Sequence, residues 1–478
     1  MLWLCLQLPD FPLEICSRGA PPDEPLAVSE GEGREQRLVA VSASARRAGV
    51  RPGMRVNEAF VLMHRLRVRP REAAAEADAL ARLAAWCGRY TSCVSLLPPD
   101  ALLLEVGGSI ALYGGLDRLI EHVRGGLAEL GYTACLAAAP TPLGAAWLAR
   151  CGREARILDH AALVRALAEL PLDCLGLEPK QEELLRGLGL ATLIDCVRLP
   201  RDGIARRVGP HVLDLLDRAF GRKPDPRPAF VPPEHFRARL ALPAPATMHD
   251  ALLFPLRRLL FELAGFLLAR GLGAMSLEIA LHGARSPATR FTLRLATPSR
   301  DPRYLTSLVR ERLERLLLAE PVEDVALEVT EFAPLGAQAG DLFAGFETPA
   351  ERRAQLLERL QARLGREAVQ GLATRADHRP EQAWRTVEPG ASSQAPGNGR
   401  RPLWLLPEPM ALEVRGGRPY WEGPLALEPD CERIESGWWD GAEARRDYFI
   451  ARHPDGRRFW VFRDLRAPAQ WFLHGLFG

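Results

Sequence analysis

Lysine is almost missing from this chain: Lys180 and Lys223 are its lysines, against 62 Lys plus Arg, so arginine carries the basic side. With 60 Asp plus Glu the formal net charge is +2, and the arginine bias reads first as a GC-rich genome and only second as nucleic-acid binding. Close-spaced cysteine pairs are also missing. Cys5, Cys16, Cys87, Cys93, Cys135, Cys151, Cys174, Cys196 and Cys431 form an odd set, which argues against a zinc site and a disulfide framework and fits a reducing cytosol. No apolar run approaches membrane-spanning length, and the apolar start is too quickly followed by Pro9 and Asp10 to read as a signal peptide, so a soluble, cytoplasmic protein without a membrane partner is expected. One further absence matters more: the opening strand, LWLCLQL at residues 2–8, carries no carboxylate.

What is present is ordinary in bulk, 47% hydrophobic and 26% charged, and 478 residues suffice for several domains with cores of their own. From residue 26 the chain reads strand (PLAVSE), polar turn (GEGRE), strand (RLVAVS) and a short helix. An Ala-rich helix over 71–90 leads to the cluster Pro98, Pro99 and the strand ALLLEV. A helix over 116–130, the small-residue strand YTACLAAAP and a helix in TPLGAAWLARCG follow. Strands alternating with helices predict an α/β sheet with helices packed on it.

Residues 170–222 turn helical and short-pitched. LGLEPKQEELLRGLGLATLIDCVRLP fits two readings, a plain helical hairpin or a helix-hairpin-helix clamp offering N–H groups to phosphate. After the Pro-rich linker KPDPRPAFVPPEH comes strand HFRARLAL, a helix over 249–271, strands AMSLEIAL and ATRFTLRLA, a helix over 303–319 and strand DVALEVTEF, a βαββαβ order with clear two-residue alternation. That alternation turns Arg237, Arg239, Arg290 and Arg294 away from the helices, onto a face that either tracks a DNA backbone or is merely solvated.

Beyond residue 332 come APLGAQAGDLFAGFE, a helix over 349–372 and a polar linker over 386–401. Seven of the ten tryptophans then fall from Trp384 onward, in short β-like pieces such as ESGWWDG and the hairpin signal HPDGRRFW.

This order resembles the Y-family translesion DNA polymerases over roughly residues 1–332. The pieces that carry the likeness are LPDFPLE, ALLLEVGGSIALYGG, the hexapeptide QAGDLF and the ending ESGWWDGAEARRDYFIARHPDGRRFWVFRDLRAPAQWFLHGLFG. The last two are similar to the polymerase-like, catalytically degenerate member of bacterial mutagenesis cassettes. The resemblance implies an α/β multidomain chain with a palm and fingers at 1–168, a helix-hairpin-helix thumb at 169–224 and a linker at 225–234. A βαββαβ little finger at 235–332 follows, then a clamp-binding segment at 333–348, a helix and flexible linker at 349–401 and a β-rich C-terminal module at 402–478.

In active members three carboxylates, an Asp on the first strand and an Asp-Glu pair on a later one, hold two magnesium ions. The resemblance puts Cys5 or Leu6 at the first Asp, Asp100 at the second and Ala101 at the Glu, so one ligand in three survives and no cofactor is expected unless residual polymerase activity retains magnesium. Arg46 keeps a triphosphate contact whose tyrosine companion has become Ala43, and Phe11 falls near the steric gate, where core packing is the competing reading. The resemblance implies a scaffold that binds primer-template DNA and docks on the DNA polymerase III sliding clamp through Gln338, Asp341, Leu342 and Phe343. Its partners would be a RecA-like accessory protein and an error-prone C-family polymerase, met through Trp438, Trp439, Trp460 and Trp471, unless those aromatics are core. The alternative is a weak translesion polymerase in which Glu105 or Asp10 joins Asp100.

Overall fold

A fully apolar strand needs cover on both faces, and the opening strand Trp3–Gln7 has it: all five residues are buried. In the computed structural model, which describes residues 1–17, 24–335, 349–391, 401–466 and 468–478, this strand lies inside a four-stranded sheet. The order is Val94–Leu97, Ala101–Glu105, Trp3–Gln7, Cys135–Ala139, with every neighbour antiparallel. Strand alternation sends Trp3 and Cys5 into one core, under helix Pro142–Arg150, and Leu4, Leu6 and Leu8 into another, under helices Ala73–Cys87 and Leu116–Leu130.

A three-stranded sheet of Leu26–Glu30, Arg37–Val41 and Arg67–Pro70 branches from this palm with a small core of its own. Helix Ala43–Arg47 follows its second strand, capped by the Ser42 hydroxyl. The short helices Pro179–Gly187, Leu193–Arg198, Arg201–Arg207 and Pro210–Ala219 share one hydrophobic core with the palm face that carries Cys5. The Pro-rich segment beyond them is pinned to the palm, where Ser95 Oγ donates to the Pro228 carbonyl at 2.7 Å and the Phe230 N–H to the Val94 carbonyl at 2.7 Å.

The βαββαβ domain forms a four-stranded antiparallel sheet in the order Thr289–Ser299, Leu272–Gly283, Val322–Pro334, Phe236–Ala246, backed by helices His249–Arg270 and Pro302–Leu313. Its long helix packs along the palm helix Ala73–Cys87. Arg82 Nε reaches Glu262 at 2.7 Å, and a Cβ at Gly265 would collide with the Trp86 ring, so glycine is what lets the two helices close. Residues 1–363 make one compact unit.

Residues 364–478 make a second unit. It holds a two-stranded ribbon, Gly371–Thr374 with Trp384–Val387, and a six-stranded antiparallel sheet. The sheet order is Arg418–Tyr420, Trp404–Arg415, Trp471–Leu476, Arg458–Asp464, Ala444–Arg452, Ala426–Ser436. The hairpin expected at HPDGRRFW is there, with Gly456 at φ 95° in its turn. Among the described residues no helix is long and apolar enough to cross a membrane.

Candidate functional site

The palm site is read from the strand register. Cys5 pairs with Leu103, Leu6 with Leu102 and Gln7 with Ala101, and the Leu8 N–H donates to the Asp100 carbonyl at 2.8 Å. The opening-strand residue beside Asp100 and Ala101 is therefore Gln7, and the assignment of that place to Cys5 or Leu6 is corrected. Cys5 and Leu6 are wholly buried, and burial pushes the Cys5 thiol far above its ordinary range.

Gln7 is 5% exposed, and its Oε1 has no hydrogen-bond partner among the described residues. Ala101 is buried as well. Asp100 is half-buried with no side-chain partner among the described residues. An amide, a methyl group and one carboxylate stand where two magnesium ions would require dense negative charge, so the residues present do not fit a two-metal site. Among the described residues no group of three or more His, Cys, Asp or Glu could hold a metal ion.

The substitutes considered for the missing acids are engaged elsewhere. Asp10 forms an ion pair with Arg46, so the arginine that would touch a triphosphate is held by a neighbouring carboxylate. Glu105 pairs with Trp3 at the far end of the strand, four residues from Ala101 and hence about 13 Å away. Its Oε1 accepts from the N–H groups of Leu2 and Gly107. Phe11 is fully buried against Tyr132, with ring centroids 5.6 Å apart, and is core. Ala43 opens the short helix that carries Arg46.

The helical hairpins satisfy their own N–H groups. Glu178 caps helix Pro179–Gly187 in a capping box, and Asp195 Oδ2 accepts from the N–H groups of Ala191 and Thr192 ahead of helix Leu193–Arg198. Carboxylates thus occupy the places a clamped phosphate would take, which favours the plain hairpin reading at both turns.

On the βαββαβ sheet, Arg237, Arg239, Arg290 and Arg294 do face outward. Three are paired across strands: Arg237 with Glu328 at 2.6 Å, Arg239 with Asp324 by two bonds of 2.7 and 2.6 Å, and Arg290 with Glu278 at 2.9 Å. Arg294 has no carboxylate partner among the described residues. The partners lie 85 and 91 residues from Arg239 and Arg237, beyond the reach of local sequence pattern.

The C-terminal tryptophans divide. Trp460 is 2% exposed and stacks on Tyr448 at 4.0 Å, and Trp471 packs on Phe449 at 5.6 Å in the sheet core, so Trp460 is corrected from an interface residue to a core residue. Trp438 and Trp439 are 77% and 61% exposed. They sit edge to face at 5.5 Å in a turn flanked by Gly437 and Gly441, both at positive φ. Buried Arg379 holds that turn, with two bonds to Asp440 at 3.0 and 2.6 Å and one to the Ala442 carbonyl at 3.1 Å. Gln338, Asp341, Leu342 and Phe343 lie outside the described residues.

The chain matches the impB/mucB/samB family over residues 13–150. Over 207 residues it is 28% identical to DNA polymerase IV of Yersinia pestis, covering 42% of this chain and 58% of that one. DinB from Sulfolobus solfataricus superposes with a TM-score of 0.41 and 17% identity, over 69% of this chain and 98% of that one. The family match, the palm sheet and the βαββαβ domain together give the chain a Y-family polymerase-like fold. The likeness to one such protein runs further, through the C-terminal unit: the chain is 29% identical over 459 residues to Protein ImuB of Caulobacter vibrioides, covering 90% of this chain and all of that one.

Proposed function

We propose that this chain is a non-catalytic, polymerase-like scaffold of damage-induced translesion synthesis and mutagenesis. It holds primer-template DNA, docks on the sliding clamp through residues 338–343 and brings in an error-prone C-family polymerase that performs the synthesis. The observation that carries this reading is the end of the palm sheet. There Gln7 and Ala101 stand beside Asp100, so the negative charge of a two-metal site is not assembled, and Arg46 is paired with Asp10. Apolar and amide groups in place of buried like charges also relieve repulsion and desolvation, a reason for such a palm to persist as a core.

The C-terminal unit supports the recruiting half of the proposal. A Trp pair exposed on a turn pinned by a buried arginine has the rigidity and aromatic area that anchor interfaces, and we assign Trp438 and Trp439, rather than Trp460, to a protein partner such as the RecA-like accessory protein. Damage-induced mutation frequency in cells tests the scaffold against the enzyme. Asp100→Ala is expected to leave it unchanged, whereas Leu342→Ala with Phe343→Ala is expected to reduce it to background. A collapse with Asp100→Ala alone would favour an enzyme.

A further inference from the structure

The outward face of the βαββαβ sheet has a charge order that alternation alone does not reveal. Its arginines sit on the two edge strands, Arg237 and Arg239 on Phe236–Ala246 and Arg290 and Arg294 on Thr289–Ser299, while the two central strands carry acids. Glu278 and Glu328 are directly opposite each other in the register, and Asp324 lies four residues, two repeats of the pleat, further along the same face, joined by His282 at 2.7 Å as well as by Arg239. Like charges placed opposite across adjacent strands destabilise a sheet. Here each is bridged outward instead, Glu328 to Arg237 and Glu278 to Arg290.

We infer that this central acidic row is an attenuator: Glu278, Glu328 and Asp324 hold the arginines of the face in internal pairs and keep its affinity for DNA phosphates low. This rests on the reading that the face meets DNA. A phosphate approaching Arg237 or Arg290 meets a guanidinium already bonded to a carboxylate and lies beside two adjoining negative charges, whereas Arg294 is the arginine of this face with no carboxylate partner among the described residues. Counterion release is then small for this face, and residence on DNA depends on a second attachment that raises the local concentration of the face over the duplex.

The test is anisotropy of a labelled primer-template duplex with the full chain, titrated from 50 to 300 mM salt. Glu278→Gln with Glu328→Gln frees two arginines, so binding at the lowest salt should tighten by about tenfold or more and the slope of log K against log salt should steepen by about 2. Glu121→Gln with Glu129→Gln, the same charge change at exposed positions on the palm helix Leu116–Leu130, should move both far less. Adding Arg237→Ala and Arg290→Ala to the glutamine variant should erase the gain, while in the wild type those changes should alter affinity less than threefold.

An unchanged affinity in the Glu278/Glu328 variant overturns the attenuator. So does a tenfold loss from Arg237→Ala with Arg290→Ala in the wild type, since those arginines would then already reach phosphate, and the DNA reading would stand. If removing the arginines changes nothing in either background, the DNA reading itself fails. Should the double variant melt early, Glu278→Gln alone, at a half-exposed pair, carries the same comparison with a slope change of about 1.

Discussion

Trp460 and Trp438 are the same residue type, 22 positions apart, and the structure gives them opposite surroundings, one buried and one exposed. Trp460 packs against both Tyr448 and His474 in the core of the C-terminal unit, so Trp460→Ala should cost about 3–5 kcal/mol of its stability, read as a shifted denaturation midpoint. Trp438→Ala should leave that midpoint within about 0.5 kcal/mol and weaken partner capture instead.

His474 beside them adds a pH dependence. Arg446 donates to the Tyr448 hydroxyl at 3.1 Å, that hydroxyl shares a hydrogen bond of 2.7 Å with His474 Nδ1, and burial lowers the imidazole pKa from 6.5 to about 4. The unfolded chain takes up this proton more readily than the folded one. Stability is therefore complete above about pH 6.5, falls as pH drops toward 4 and loses about 3 kcal/mol across that window. His474→Gln should flatten this fall in melts followed by tryptophan fluorescence.

At the scale of elements, the contact between helices Ala73–Cys87 and His249–Arg270 decides whether the βαββαβ domain is held against the palm. Gly265→Ala puts a methyl group into the Trp86 ring, and an overpacked contact of this kind costs about 1–3 kcal/mol. We expect faster proteolysis of the 223–235 segment in this variant, with the palm core intact. Strands and helices here were legible because their periods are clean: FRARLAL and TRFTLRL alternate, and the helix over 116–130 ends at a glycine in the left-handed region. The pairing of edge arginines with central acids was not legible, because a register joining residues 85 and 91 positions apart is set by tertiary packing. The place of Gln7 was hidden for a related reason. The strand's register is fixed by its hydrogen bonds to Asp100 and its neighbours, about 93 positions along the chain, which no local pattern encodes.

For the whole molecule, the proposed function makes this a polymerase-like architecture kept for its shape. The palm retains both cores around the opening strand, yet its acid positions hold an amide, a methyl group and one carboxylate. The βαββαβ domain retains an outward arginine set, largely paired within itself, and a second unit supplies exposed aromatics. The most direct test is primer extension by the purified full-length protein on undamaged template, with magnesium and then manganese, beside Asp100→Ala. The account predicts no extension by either protein, with primer-template binding retained in both. Extension by the wild type that disappears in Asp100→Ala would contradict it, since Asp100 would then be holding a working metal site with ligands other than Gln7 and Ala101.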